Sequence, residues 1–166
     1  MIIIVMGVTG CGKTTVGRAL AKKLSCKFFD ADDFHPAANR EKLKSDIPLD
    51  DTDRWPWLQI LADLLKREGA AGATVVLACS ALKQSYRDIL RSCGYPVKFV
   101  HVVGTQERIT ARLRERAGGH ELIRDFDRIL TAQFRDLEPP ADAVVVDNEK
   151  PVAAIVEELL RDRRIS

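Results

Sequence analysis

Apolar residues fall along this chain in short unbroken runs set between longer stretches of helical period. Ile2-Ile3-Ile4-Val5-Met6 is continuous and ends at Gly7, the pattern of a strand buried on both faces of a parallel sheet. Similar runs lie at 74–78, 97–103 and 143–146, and a shorter strand is expected over 26–30. Between the first two strands, residues 14–24 place Val16, Leu20 and Leu24 on one helical face with basic residues between them. Parallel neighbours need crossover helices, so the alternation predicts an α/β three-layer sandwich with a mainly parallel sheet.

Two segments interrupt this rhythm. Residues 34–58 are rich in Asp, Arg and Pro and read as an inserted substrate-binding flap. Residues 112–126 carry Gly118-Gly119 and several arginines and suit a mobile lid. A terminal amphipathic helix is expected over 155–164, its charges forming a solvated face.

Composition narrows the class. With 166 residues, 46% of them hydrophobic, the chain can bury one good core, so a single domain spanning 1–166 is expected. Lys plus Arg at 26 against Asp plus Glu at 24 is too balanced to suggest nucleic acid or an anionic membrane as partner. Cys11, Cys26, Cys79 and Cys93 show no metal or disulfide spacing and read as free thiols. The run 2–6 is too short to span a membrane and has neither a basic leader nor a cleavage site. A soluble cytoplasmic protein is the expectation.

The chemistry begins at the end of the first strand. Gly7-Val-Thr-Gly-Cys-Gly-Lys-Thr14 fits G-x-x-x-x-G-K-[ST], directly after a buried strand and before a helix. Such a loop turns successive backbone N–H groups inward at phosphate oxygens, and the helix N-terminus adds partial positive charge. Gly7, Thr9, Gly10, Cys11, Gly12, Lys13, Thr14 and Thr15 are therefore the expected nucleotide-binding residues. Lys13 would reach the β- and γ-phosphates of ATP, and the Thr14 hydroxyl would meet Mg2+. A tight glycine turn without a ligand would explain the glycines but not the Lys-Thr pair.

Asp30 and Asp32 follow Phe28-Phe29 and are expected at the C-terminal end of the second strand, where open α/β sheets bind ligands. Alternation would point both carboxylates the same way. Asp32 is the expected base for an acceptor hydroxyl, and Asp30 the expected Mg2+ partner through water. Capping a turn is the competing role, and the expected one for Asp33.

Several segments together resemble the gluconokinase family of small P-loop kinases. They are 6–14, Asp30-Ala-Asp-Asp-Phe-His-Pro36, Asn39, Lys42, Pro48-Leu-Asp-Asp-Thr-Asp-Arg-Trp-Pro-Trp-Leu58, Cys79-Ser-Ala-Leu-Lys83, Tyr86-Arg-Asp88, Gln133-Phe134 and Leu137-Glu-Pro139. The resemblance implies a nucleoside-monophosphate-kinase-like fold, ATP and Mg2+ as co-substrates, D-gluconate as acceptor, 6-phosphogluconate as product and a homodimer. Arg54, Lys83 and Arg87 are cations at family-matching positions; Arg54 or Arg87 is expected on the substrate carboxylate, with Asp32, His35 and Gln133 on hydroxyls. A surface ion pair is the alternative for each cation: Arg54 has Asp50, Asp51 and Asp53 nearby, and Arg87 has Asp88 beside it.

Trp55 and Trp57 are expected to anchor the flap against the core rather than stack on a ligand. Arg108, Arg112 and Arg116, four apart, share one helical face; Arg112 and Arg116 are the expected catalytic arginines of the lid, while a solvated helix paired through Glu107 and Glu115 is the alternative. Asp147, after the last strand, would contact the nucleotide or cap the helix beginning near Pro151. The chain departs from the family pattern at Glu121, where an aromatic residue follows the histidine, and at Asp46, where the flap carries glycine. The competing functions are a kinase for another small hydroxy acid, shikimate-like or another aldonate, and a nucleotide-binding regulatory module without catalysis.

Overall fold

The computed structural model describes residues 1–45, 47–116 and 123–165, and side chains for these except at 116 and 123–126. The departures at Asp46 and Glu121, the glycine pair of the expected lid and the side chain of Arg116 lie outside the described residues.

Five strands form one parallel sheet: β1 (Ile2–Met6), β2 (Lys27–Asp30), β3 (Val75–Ala78), β4 (Val97–Val103) and β5 (Val144–Asp147), in the order β2-β3-β1-β4-β5. Among the described residues seven α-helices accompany them: α1 (Lys13–Lys23), α2 (Ala37–Lys44), α3 (Asp51–Ala70), α4 (Gln84–Arg91), α5 (Gln106–Arg116), α6 (Ile123–Asp136) and α7 (Val152–Arg161). β1 is central, and all five of its side chains are wholly buried. Ile3 and Val5 pack with Val16 and Leu20 of α1 and Ile155 and Leu159 of α7. Ile2, Ile4 and Met6 face the other way, against Leu58, Leu61 and Leu65 of α3 and Leu90 of α4. Helices thus cover both faces, giving the expected three layers.

The β1 crossover runs one way to β2, whereas the chain leaving β3 passes β1 to reach β4 on the other side. Their loops part above the carboxyl ends of the strands, which opens a crevice there.

The segment 34–58 is far more regular than its composition predicts. A 3-10 turn (Ala31–Phe34) leads through Pro36 into α2, and α3 starts at Asp51. The reason is local: the Asp50 side chain accepts from the Asp53 amide, and the Asp53 carboxylate accepts from the Asp50 amide, a reciprocal cap. Pro56 lies inside α3, where it lacks the N–H that would bond the Thr52 carbonyl, and the reciprocal cap and the buried helix face offset that loss. Lys42 then binds both oxygens of Asp53 at 2.6 and 2.7 Å, fastening α2 to this cap.

Candidate functional site

The loop between β1 and α1 is built for an anion. Gly12 has φ 108° and Gly7 φ 141°, both in the left-handed region. A Cβ on Gly7 would lie 2.6 Å from the Val102 carbonyl oxygen. Among the described residues, the amides of Gly10, Gly12, Thr14 and Thr15 donate to no protein acceptor, while the Lys13 amide faces the Cys11 sulfur. They cluster at the start of α1, where the helix dipole adds positive charge. Lys13 Nζ donates to the Val8 carbonyl at 2.8 Å, which holds its ammonium over the loop.

Three distant segments brace this loop. The Gly7 amide donates to Ser80 O at 3.3 Å, the Thr9 amide to Gln133 Oε1 at 2.6 Å, and Asn148 Nδ2 to Cys11 O at 3.2 Å. Cys11 is wholly buried, and burial pushes its thiol up despite the nearby charge of Lys13.

Facing the loop is the end of β2. Asp30 Oδ2 accepts from the Thr14 hydroxyl at 2.9 Å while Oδ1 accepts from the Asp32 amide at 3.2 Å. Asp30 therefore caps the 3-10 turn, and Asp32 belongs to that turn rather than continuing the strand's alternation. The turn directs the Asp32 carboxylate into the crevice, 86% exposed. Its pKa is raised first because the crevice walls displace bulk water from its wider surroundings, then because Asp30 lies beside it; His35 and Lys13 oppose the shift.

His35 sits behind Asp32 with Nε2 3.8 Å from Asp32 Oδ1, its own side chain only 7% exposed. Its ring stacks on Trp57 at a centroid distance of 4.3 Å, and Trp57 Nε1 is anchored on Ala31 O at 2.8 Å. Burial holds the His35 pKa below the ordinary histidine value. Next along the crevice, Arg54 donates from Nε to Leu49 O and lies 5.7 Å over the Tyr86 ring. Arg54 helps line a cavity of about 500 Å³ that also touches Asp51, Lys83, Tyr86 and Arg135. No ion pair engages the Arg54 guanidinium among the described residues.

Comparison with known proteins decides the family. Residues 2–161 match a family model described as an AAA domain. A probable gluconokinase of Xenopus tropicalis is 43% identical over 177 residues, covering 96% of this chain and 91% of the relative. A gluconokinase of Gluconobacter oxydans is 41% identical, covering 96% and 89%. The crystal structure of a gluconokinase from Sinorhizobium meliloti superposes with a TM-score of 0.82 at 38% identity, covering 94% of this chain and 87% of that one. The chain belongs to the gluconokinase family.

Against this gluconokinase frame, several expected site residues stand elsewhere than the sequence suggests. Arg87 is only 1% exposed and directs NH1 to the carbonyls of Ala81 and Leu82 and NH2 to Gln84 Oε1. It is a brace of the loop after β3, buried out of reach of a substrate carboxylate, and Asp88 is not its partner. Lys83 is committed to Asp51 at 3.0 and 3.2 Å, and the Tyr86 hydroxyl donates to the same carboxylate. Gln133 uses its carbonyl oxygen on the Thr9 amide and its nitrogen on the Thr9 hydroxyl, so it shapes the phosphate loop rather than facing an acceptor hydroxyl.

Asp147 does not cap α7: its Oδ1 accepts from the Glu149 amide and pairs with Arg108. Arg108 also pairs with Glu149, so its partners come from the β5 loop rather than from Glu107 or Glu115. Arg112 donates from NH2 to Asn148 O at 2.7 Å, which carries the α5 arginine row to the edge of the phosphate loop. Trp57 is the buried anchor expected, whereas Trp55 is 38% exposed and meets the edge of Tyr86.

Asn148 and Arg40 are the residues that sequence reasoning missed. Asn148, buried at 6%, joins the end of β5 to the phosphate loop, and Arg40 clasps the 3-10 turn through His35 O and Asp33 O. Only adjacency to Asp147 and to the Asn39 motif position could have signalled them.

Proposed function

We propose that this chain transfers the γ-phosphoryl group of ATP to D-gluconate, giving 6-phospho-D-gluconate and ADP. The supporting observation is the meeting, in one crevice of a gluconokinase-family fold, of a phosphate loop with four free amides, an exposed carboxylate on a capped turn, and an arginine that no ion pair engages among the described residues.

In this mechanism the amides of Gly10, Gly12, Thr14 and Thr15 and the Lys13 ammonium hold the phosphate tail in line. The Thr14 hydroxyl and the Asp30 carboxylate are hard oxygen donors 2.9 Å apart, the kind Mg2+ takes beside phosphate oxygens. Held by Thr14 and Asp30, Mg2+ would neutralise charge on the phosphate tail. Asp32 orients the terminal hydroxyl of gluconate and accepts its proton as the new O–P bond forms and the bond to the ADP oxygen breaks; its raised pKa makes it the stronger base. Arg54 binds the gluconate carboxylate.

Residues 34–58 act as the substrate flap, and the segment 112–126, with Arg112 and Arg116, closes over the triphosphate and keeps water from it. A homodimer and a cytoplasmic location belong to the same proposal. Among the described residues no helix is long and apolar enough to cross a membrane, and all four cysteines are free.

The test is release of ADP by the purified protein with gluconate, other aldonates, shikimate and simple sugars, the product being identified by phosphorus NMR. Gluconate is expected to be the best acceptor. Lys13→Ala and Asp32→Asn are each expected to lower kcat on the order of 10²-fold or more. Near-normal turnover by Asp32→Asn would remove it from the role of base, and ATP binding without transfer to any sugar acid would refute the proposal outright.

A further inference from the structure

His35 is held on three sides. Trp57 fixes its plane by stacking, and Trp57 is itself tied down through Nε1 to Ala31 O. Arg40 Nε binds the His35 carbonyl at 2.9 Å, fixing the backbone. The third contact sets the proton. Asn39 Nδ2 lies 2.9 Å from Asp53 O and 3.3 Å from His35 Nδ1. A backbone carbonyl only accepts, so the nitrogen of the Asn39 amide must face Asp53. One of its two hydrogens serves Asp53 O and the other points at His35 Nδ1, which must then be the unprotonated nitrogen. In a neutral imidazole the proton is left on Nε2, the atom beside Asp32 Oδ1.

We infer that Asn39 locks His35 in the neutral tautomer carrying its proton on Nε2, making His35 a fixed hydrogen-bond donor that grips an acceptor hydroxyl next to Asp32. A polyol offers each hydroxyl as both donor and acceptor. Asp32 can only accept from it and the locked His35 can only donate to it, so the pair matches two neighbouring hydroxyls with opposite polarity. The 3.8 Å between Nε2 and Asp32 Oδ1 is too long for a direct hydrogen bond, so the Nε2–H beside this carboxylate is not spent on it. Burial foremost, with Arg54 and Arg40 behind it, disfavours a second proton on the ring against the opposing pull of Asp32. Asn39 and Trp57 act here as positioning residues, and the inference rests on the gluconate kinase reading above.

The first measurement is the nitrogen NMR spectrum of the histidine rings in the ligand-free protein, with His35 assigned by its loss in His35→Gln. A pyridine-like Nδ1 and a pyrrole-like Nε2 are expected. In Asn39→Asp, whose carboxylate accepts from Nδ1–H, the two are expected to exchange. The second measurement is kinetic. Glutamine places its amide nitrogen near the position of Nε2 and asparagine near that of Nδ1. His35→Gln should therefore keep KM for gluconate within about threefold, whereas His35→Asn should raise it about tenfold, with KM for ATP unchanged in both.

A proton on Nδ1 in the wild-type spectrum overturns the inference, as does equal impairment, or equal competence, of the two His35 variants. Failure of the wild type to phosphorylate gluconate would sink the proposed function while leaving the tautomer to be judged by the spectrum.

Discussion

Arg87 directs its guanidinium at the protein's own backbone, and the reason lies in the loop it serves. Ala81 has φ 44°, a left-handed conformation that costs a residue with a Cβ roughly 1–2 kcal/mol. This turn sets Ser80 O against the phosphate loop and sends Lys83 toward Asp51. The carbonyls of Ala81 and Leu82 both accept from Arg87 NH1 at 2.9 Å in a buried setting. Arg87→Leu should therefore lower unfolding stability by about 2–3 kcal/mol, because it strands buried carbonyls. A urea titration reads this as a lower midpoint, and an unchanged midpoint would show that the turn holds without its brace. A motif position alone did not reveal this role: an arginine in C-S-A-L-K-x-x-Y-R-D looks the same whether its fork meets a ligand or a carbonyl. Lys13 and Thr14 were legible because a phosphate cradle is local in sequence; Arg87 and Gln133 were not, because their partners are tertiary.

Elements built on continuous apolar runs were the easiest to anticipate. β1 and β4 have the bounds expected from their patterns: β1 is apolar and buried throughout, and in β4 the buried Phe99, Val100 and Val102 carry the run past Lys98 and His101. The expectation weakened where side chain and backbone compete. Asp30 looked like one more strand position, yet its carboxylate takes the Asp32 amide and ends the strand in a 3-10 turn. Pro56 hid the start of α3 because the Asp50–Asp53 cap outweighs it. α6 shows how an element far from the crevice reaches the phosphates. Its Gln133 fills both hydrogen-bonding groups of Thr9, so Gln133→Leu should loosen the loop. KM for ATP is expected to rise several-fold, with a smaller change in KM for gluconate. A larger effect on gluconate would instead return Gln133 to the acceptor side.

For the whole molecule, two buried histidines set the response to acid. His35 and His101 are each held below the ordinary value of 6.5, mainly by burial, with Arg87 adding to the effect at His101. The unfolded chain takes up protons below that value while the fold resists them, so it binds more protons and stability rises with pH. The contribution is intact above pH 6.5 and is lost as the pH falls below it. Urea midpoints at about pH 7.5 and about pH 5.5 should show the drop, and His101→Gln should shrink it. A midpoint that holds or climbs on acidification would contradict this sign.

The bracing of the phosphate loop also bears on biosynthesis. Its supports come from Ser80, Gln133 and Asn148, and its parent strand is flanked by β3 and β4, so during translation residues 1–20 emerge with the nucleotide motif but without its scaffold. A nascent chain released before residue 148 would carry the complete fingerprint and still lack the grip. Cellular ATP would thus favour only chains in which residue 148 has already emerged, and their commitment to the native state would wait for it.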